Sequence, residues 1–343
     1  MLNKLKEKFL YFDGAMGTML QKRGLKTGEL PEELNITNAE VIYNIHREYL
    51  NSGSNIITTN TFGANRLKLK NLLYTVEEIV TTAVETAKKS TAGMEDNYVA
   101  LDIGPIGALL SPLGTLRFEE AYDIFKEQVV IGANAGADLI LIETMTDLYE
   151  LKAAILAAKE NSNLPVFATM SFQDNGRTFT GTDVKTFVFV AEGLGVDVLG
   201  VNCSLGPDKL QPIVDELLKY SSTPIMVQAN AGLPKFQDNT AYYDIDPLKY
   251  SSEINIMAKK GVSIFGGCCG TTPEYIKSII NSLSVLTPKI VVKKHFTTVT
   301  SSSKTVFLGK DVQIIGERIN PTGKKRLKEA IRENNLDYVI KEA

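Results

Sequence analysis

Apolar residues gather into short runs that end on small or polar residues, and each run is followed by a stretch with helical spacing. The runs cover residues 9–13, 55–59, 98–102, 138–142, 165–169, 197–201, 224–228 and 262–266. They are nearly continuous rather than strictly alternating, the pattern of parallel strands buried on both faces. Between them, residues 38–50 place Val41, Ile42, Ile45 and Tyr49 on one helical face, closed by Gly53. Asp147-Leu-Tyr-Glu150 predicts a capping box that opens a helix over 151–158. Thr272, Pro273 and Glu274 supply a cap, a first-turn proline and an early acid for another helix.

Eight such units predict a (β/α)8 TIM barrel. A doubly wound open sheet competes, but it needs a Gly-x-Gly-x-x-Gly turn after its first strand, and Gly14-Ala-Met-Gly17 does not supply one. Polar residues cluster at the strands' C-terminal ends: Asp13, Asn60, Asp102, Glu143, Asn202, Cys203, Asn230, Cys268 and Cys269. In a barrel that end is the catalytic face.

From about residue 287 the pattern changes. Residues 287–310 read as a linker or covering extension rich in Lys, Thr and Ser, leaving 1–286 as the barrel domain. A ninth strand-like run at 311–315 leads into Gly316-Glu-Arg-Ile-Asn-Pro-Thr-Gly323 and a charged amphipathic stretch. One βα unit cannot bury its own apolar surface, so 311–343 read as the opening of a truncated second domain.

Composition narrows the function classes. Of 343 residues, 44% are hydrophobic and 22% charged, the balance of a soluble globular protein. A formal net charge of −3 argues against nucleic-acid binding. No run approaches the roughly 20 apolar residues of a membrane span, and the first ten residues lack a signal-peptide core. Three cysteines, two of them adjacent, suit a reducing compartment, so a cytoplasmic location is expected.

Those cysteines carry the candidate chemistry. Cys203 ends the sixth run, Cys268 and Cys269 end the eighth, and a barrel turns both ends into one funnel. Three thiolates match a zinc site with one position open, where a structural site would want a fourth protein ligand. Buried thiols or a redox pair are the alternative. A thiol entering the open position would lose its proton, which suits alkyl transfer to sulfur. With only two histidines, His46 in a helix and His295 in the linker, a histidine triad is not expected. Asp13 and Glu143 could bind an ammonium group or cap loop amides. Asn230 could bond substrate, fill the open zinc position, or serve as a turn former beside Gly232. The glycines around Cys268 could instead grip a phosphate.

Gly-Val-Asn-Cys203, Gly-Gly-Cys268-Cys269-Gly, Asp13-Gly-Ala-Met-Gly-Thr and Ile142-Glu143-Thr resemble the homocysteine S-methyltransferase family over residues 8–285. The resemblance implies that Cys203, Cys268 and Cys269 bind Zn2+, that zinc activates homocysteine, and that Asp13 and Glu143 contact its amino-acid end. Residues 314–323 resemble the start of the pterin-binding barrel that follows the homocysteine barrel in cobalamin-dependent methionine synthases. That implies methylcobalamin as methyl donor, methyltetrahydrofolate as its source, and partner cobalamin- and folate-binding modules lying outside this chain. It also places Glu317 and Asn320 in a folate site that is incomplete here. S-methylmethionine or betaine as donor, a different thiol with a corrinoid partner protein, and a non-catalytic zinc or homocysteine binder are the competing expectations.

Overall fold

The computed structural model describes residues 1–26, 28–237, 240–309, 311–316 and 319–342. All eight expected strands form: β1 Leu10–Tyr11, β2 Ile56–Thr58, β3 Tyr98–Ile103, β4 Leu139–Met145, β5 Val166–Met170, β6 Val198–Asn202, β7 Ile225–Ala229 and β8 Ile264–Gly267. They lie in one parallel sheet, each of β2 to β7 beside the next, with β8 between β7 and β1. The register runs Ile56↔Tyr98, Ala100↔Leu139, Ile140↔Val166, Phe167↔Val198, Leu199↔Ile225, Ile264↔Met226 and Leu10↔Ile264. A bridge between Phe12 and Ile56 closes the ring. The result is the (β/α)8 barrel.

The helices after the strands are α1 Ala39–Asn51, α2 Val76–Thr91, α3 Phe118–Asn134, α4 Leu148–Asn161, α5 Val184–Gly193, α6 Pro207–Tyr220, α7 Pro247–Lys260 and α8 Pro273–Leu283. Helix α2 opens with a full capping box, Thr75 with Glu78. At α4 the expected box does not form. Asp147 caps the Tyr149 amide, while Glu150 turns away and accepts from Ile106 N at 2.7 Å. A neighbouring loop amide has taken the carboxylate that the local pattern assigned to the cap. His46 in α1 is fully buried, and neither ring nitrogen has a partner; burial lowers its pKa to about 4. It is a core residue. His295 is exposed.

Two layers of packing follow from strands buried on both faces. Leu10, Phe12, Ile56, Ala100, Leu139, Leu141, Phe167, Val198, Met226 and Ile264 form one buried cluster, joined by Leu5 of the N-terminal turn. Their spacing of two along each strand marks the barrel interior. A second, larger cluster joins residues such as Leu101, Ile103, Ile140 and Ile142 to the helices. Along β3, β4, β6 and β7 the interior parity continues upward from Ala100 to Asp102, Leu141 to Glu143, Val198 to Asn202 and Met226 to Gln228. The floor of the site is the polar top layer of the barrel filling.

The chain divides into two compact units: residues 1–295 with 300–305, and residues 296–299 with 306–343. In the first, the covering extension is tied down. Lys294 N donates to Ser222 Oγ at 2.9 Å, Lys294 Nζ to Ser221 O at 2.7 Å, and Thr182 Oγ1 to Ser302 O at 2.7 Å. The second unit holds helices Lys325–Arg332 and Leu336–Glu342 and an ion pair between Lys324 and Glu342. The expected ninth strand is absent: 311–315 have no strand pairing, and Val312, Ile314 and Ile315 are exposed. A parallel strand takes its hydrogen bonds from neighbouring strands, and among the described residues none flanks this run. No helix among the described residues is long and apolar enough to cross a membrane.

Candidate active site

Three loops meet above the barrel's polar layer. After β1, Asp13 O accepts from Gly267 N at 3.0 Å, and Ala15 N donates to Thr271 Oγ1 at 3.2 Å. Gly270 N donates to Thr18 Oγ1 at 3.0 Å. The loop after β1 is thereby stitched to the turn that carries Cys268 and Cys269. The approach is close enough to require glycine. A Cβ on Gly14 would lie 2.6 Å from Thr271 Oγ1, and one on Gly267 only 2.3 Å from the same atom. Tyr49 of α1 supports both loops from beneath, its hydroxyl donating to Ala15 O and Thr271 O at 3.3 Å.

Cys203 enters from β6. Its amide donates to Gln228 O at 3.0 Å, while Cys268 N donates to Ala229 O at 2.8 Å, so both turns hang on the end of β7. Cys203 and Ser204 both have φ of 59°, and Thr144 after β4 has φ of 60°. Left-handed backbone in three non-glycine residues is strain concentrated at one place, a mark of functional sites. Asn202 holds it. This fully buried side chain accepts from Thr144 N and Thr169 Oγ1, each at 2.8 Å, and donates to Thr144 Oγ1 at 2.7 Å and Glu143 Oε2 at 3.2 Å.

The three Sγ atoms lie within 4.8 Å of one another, with Cys203 and Cys269 at 4.0 Å. Sulfurs at the corners of a tetrahedron around zinc, at about 2.3 Å from the metal, stand about 3.8 Å apart. The donor set and its spacing therefore fit zinc. All three cysteines are free. Hydrogen bonds from Cys203 and then Cys268 pull the Cys269 thiol down, and bonds to Cys203 and Cys269 push Cys268 up.

The thiols open into a cavity of about 480 Å³ whose walls include Asp13, Glu32, Thr58, Phe62, Lys68, Asp102, Glu143, Gln228 and Tyr243. Asp13 is buried, accepting from Thr58 N at 2.8 Å and from Thr58 Oγ1 at 3.1 Å; burial pushes its pKa up to about 7 despite those bonds. Glu143 is raised by burial first and then by Cys203 and Asp13. Asp102 is raised by burial and by Glu143, Asp13 and Glu32.

The expected site residues thus divide. Cys203, Cys268, Cys269, Asp13 and Glu143 share one cavity. Asn230 is buried with no partner for its Oδ1, but the cavity wall nearby is made by Gln228 and Tyr243. Asn320 belongs to the second unit, where its Oδ1 accepts from Thr322 N at 2.9 Å in a local turn. Glu317 lies outside the described residues. Tyr243, Glu32 and Lys68 received no role from the sequence. Tyr243 directly follows the short strand Thr240–Tyr242, which pairs antiparallel with Lys235–Gln237, and its ring packs where a Cβ on Gly270 would be, 2.4 Å away. No local pattern marks such a contact.

Comparison with known proteins adds three findings. The model of the homocysteine S-methyltransferase family matches residues 10–283. The chain is 31% identical to methionine synthases of Mycobacterium leprae and Mycobacterium tuberculosis, each aligned over 96% of this chain; it spans only 29% of their length. The homocysteine methyltransferase MmuM from Escherichia coli, in its metallated form, shares the fold: TM-score 0.69 and 22% identity over 80% of this chain and 96% of that one. A carboxyl transferase domain of Rhizobium etli pyruvate carboxylase gives a TM-score of 0.51 at 13% identity, a likeness of barrel alone. The match over 10–283 takes in β1 through α8 and every residue of the thiol cavity, and the chain belongs to the homocysteine S-methyltransferase family.

Proposed function

We propose that this barrel transfers a methyl group to the thiol of homocysteine, giving methionine, with Cys203, Cys268 and Cys269 holding a zinc ion. The observation that carries the reading is the trio itself: three free thiols from two strand ends, at zinc spacing, facing an acid-lined cavity. When bound, the metal would supply a Lewis acid that lets the substrate thiol ionise near neutral pH. The chain's own residues do the rest. Asn202 locks the strained turns so that the sulfurs converge, Thr58 and Asn202 orient Asp13 and Glu143, and these acids face the substrate's ammonium. The barrel filling beneath excludes water from below. A thiolate lone pair then forms the new S–CH3 bond while the donor keeps the electron pair of the bond that breaks. The thiol proton leaves to solvent. Holding the sulfur in line with the methyl group is where the fold contributes most to rate.

For the donor we propose methylcobalamin, carried by a module outside this chain; the methionine synthase relatives, which extend far beyond the matched region, support it. Residues 311–343, with Glu317 and Asn320, are read as the start of a folate domain, 287–310 as linker and 1–286 as the homocysteine barrel. A cytoplasmic location suits the three free thiols. The test is direct: zinc-loaded protein, homocysteine and free methylcobalamin are mixed, and the methyl–cobalt absorbance is followed. Loss that needs both zinc and homocysteine, with methionine formed, is expected. Turnover only with S-methylmethionine or betaine would replace the donor, and no transfer from any donor would leave a binding domain.

A further inference from the structure

Methyl transfer at this site poses a problem of selectivity. The three ligand sulfurs are thiolates, and a thiolate is itself a nucleophile toward a methyl donor. A methyl group entering the cavity can therefore end on Cys203, Cys268 or Cys269 as well as on the substrate. Methylation of a ligand would turn it into an uncharged thioether and loosen the metal. A hydrogen-bond donor can tell the sulfurs apart. It stabilises the thiolate's charge, and that stabilisation is lost when the sulfur takes up a methyl group.

The ligands are furnished differently. Cys203 accepts from the amide of Ser204, its neighbour in the left-handed turn. Cys269 accepts from the hydroxyl of Tyr243. Cys268 takes hydrogen bonds from the other two thiols, and a metal that ionises all three removes these.

The fold holds Tyr243 in place for this contact. Two residues on, Ile245 N donates to Ala231 O at 3.0 Å, and Ala231 N donates to Cys269 O at 2.9 Å. Asp244 pairs with Lys235 Nζ at 2.6 Å. Tyr243 lines the cavity together with all three cysteines. Its ring takes the space a Cβ on Gly270 would need, so the glycine after Cys269 is what admits the phenol to the sulfurs. A tyrosine hydroxyl can donate or accept; beside a thiolate, which has no proton, it can only donate.

We propose that Tyr243 directs the methyl group: its hydroxyl donates to the zinc-bound Cys269 thiolate, lowers the nucleophilicity of that ligand, and leaves the entering substrate thiolate as the sulfur that reacts. The inference rests on the zinc reading above. Tyr243 acts through Cys269 and is a positioning residue.

The experiment treats the zinc-loaded protein with methyl iodide, without homocysteine, and follows each cysteine by tandem mass spectrometry. In the reaction read out, a Cys269 lone pair forms the S–CH3 bond and iodide leaves with the electron pair of the bond that breaks. Cys268 lies beside it in the chain and is the internal standard. Tyr243→Phe keeps the ring against Gly270 and removes only the hydroxyl, so zinc content and melting temperature should hold. The rate of Cys269 methylation should rise about 10-fold, the strength of one hydrogen bond to a charged group. Cys203 and Cys268 should keep their parent rates. An unchanged Cys269 rate would overturn the proposal. An equal rise at all three sulfurs would do so too, because it would report a loosened site. If the unaltered protein failed to hold zinc on its three sulfurs, the zinc reading itself would fall, and the proposal with it.

Discussion

Replacing Asn202 with alanine tests how the site is held together. The side chain makes four hydrogen bonds, three at 2.7–2.8 Å and one at 3.2 Å, that join β4, β5 and β6. Truncation leaves the Thr169 hydroxyl, which is fully buried, and the Thr144 amide without their acceptor. Each orphaned group costs about 1–3 kcal/mol. Part of this returns if Thr144 relaxes from its φ of 60°, a conformation that costs of order 1 kcal/mol for a residue with a side chain. The net expectation is a loss of about 3 kcal/mol. Urea unfolding of the metal-free protein, followed by circular dichroism, reads it directly. Asn202→Asp keeps both acceptor positions but sets a second carboxylate against Glu143, so it should lose less stability at low pH than at high pH. Zinc affinity should fall in both variants, because Cys203 is the next residue. Stabilities within about 0.5 kcal/mol of the parent, the range of ordinary surface substitutions, would show that the network does not carry the strain.

Glu150 gives a pH signature away from the thiols. Burial raises its pKa from 4.5 to about 7. A raised acid leaves stability untouched below its unfolded value and removes stability as pH climbs through the folded one. The parent should therefore lose about 3 kcal/mol between pH 4.5 and 7.5 at this residue. Glu150→Gln can still accept from Ile106 N and should escape that loss; parallel urea-stability curves for the two proteins would refute it. Gly270→Ala forces a side chain onto a φ of +83° and into the Tyr243 ring. It should cost about 2 kcal/mol and weaken zinc binding, whereas unchanged unfolding and zinc retention would show that Tyr243 packs elsewhere.

Much of this was legible because barrel strands announce themselves as continuous apolar runs, and the same parity that buries Leu141 delivers Glu143 to the site. Cys203 and the Cys268-Cys269 pair could be brought together on paper once eight units were counted. Other features depend on tertiary partners. Glu150 reads as a capping-box acid until the Ile106 amide is seen beside it. Asp102 and Asp13 look alike in sequence, each an acid after an apolar run. What separates them is Thr58, which satisfies one and not the other. The left-handed turn at Cys203 and Ser204 has no glycine to signal it. Residues 311–315 have strand composition, but composition cannot supply the neighbouring strands that a parallel ladder needs.

The central claim is that three cysteine sulfurs hold a metal with one position left for a substrate thiol. Zinc K-edge absorption counts those sulfurs. The zinc-loaded protein should show three at about 2.3 Å, rising to four when homocysteine is added. A count of three that homocysteine leaves unchanged, or a ligand-free shell already filled by four sulfurs, would contradict it.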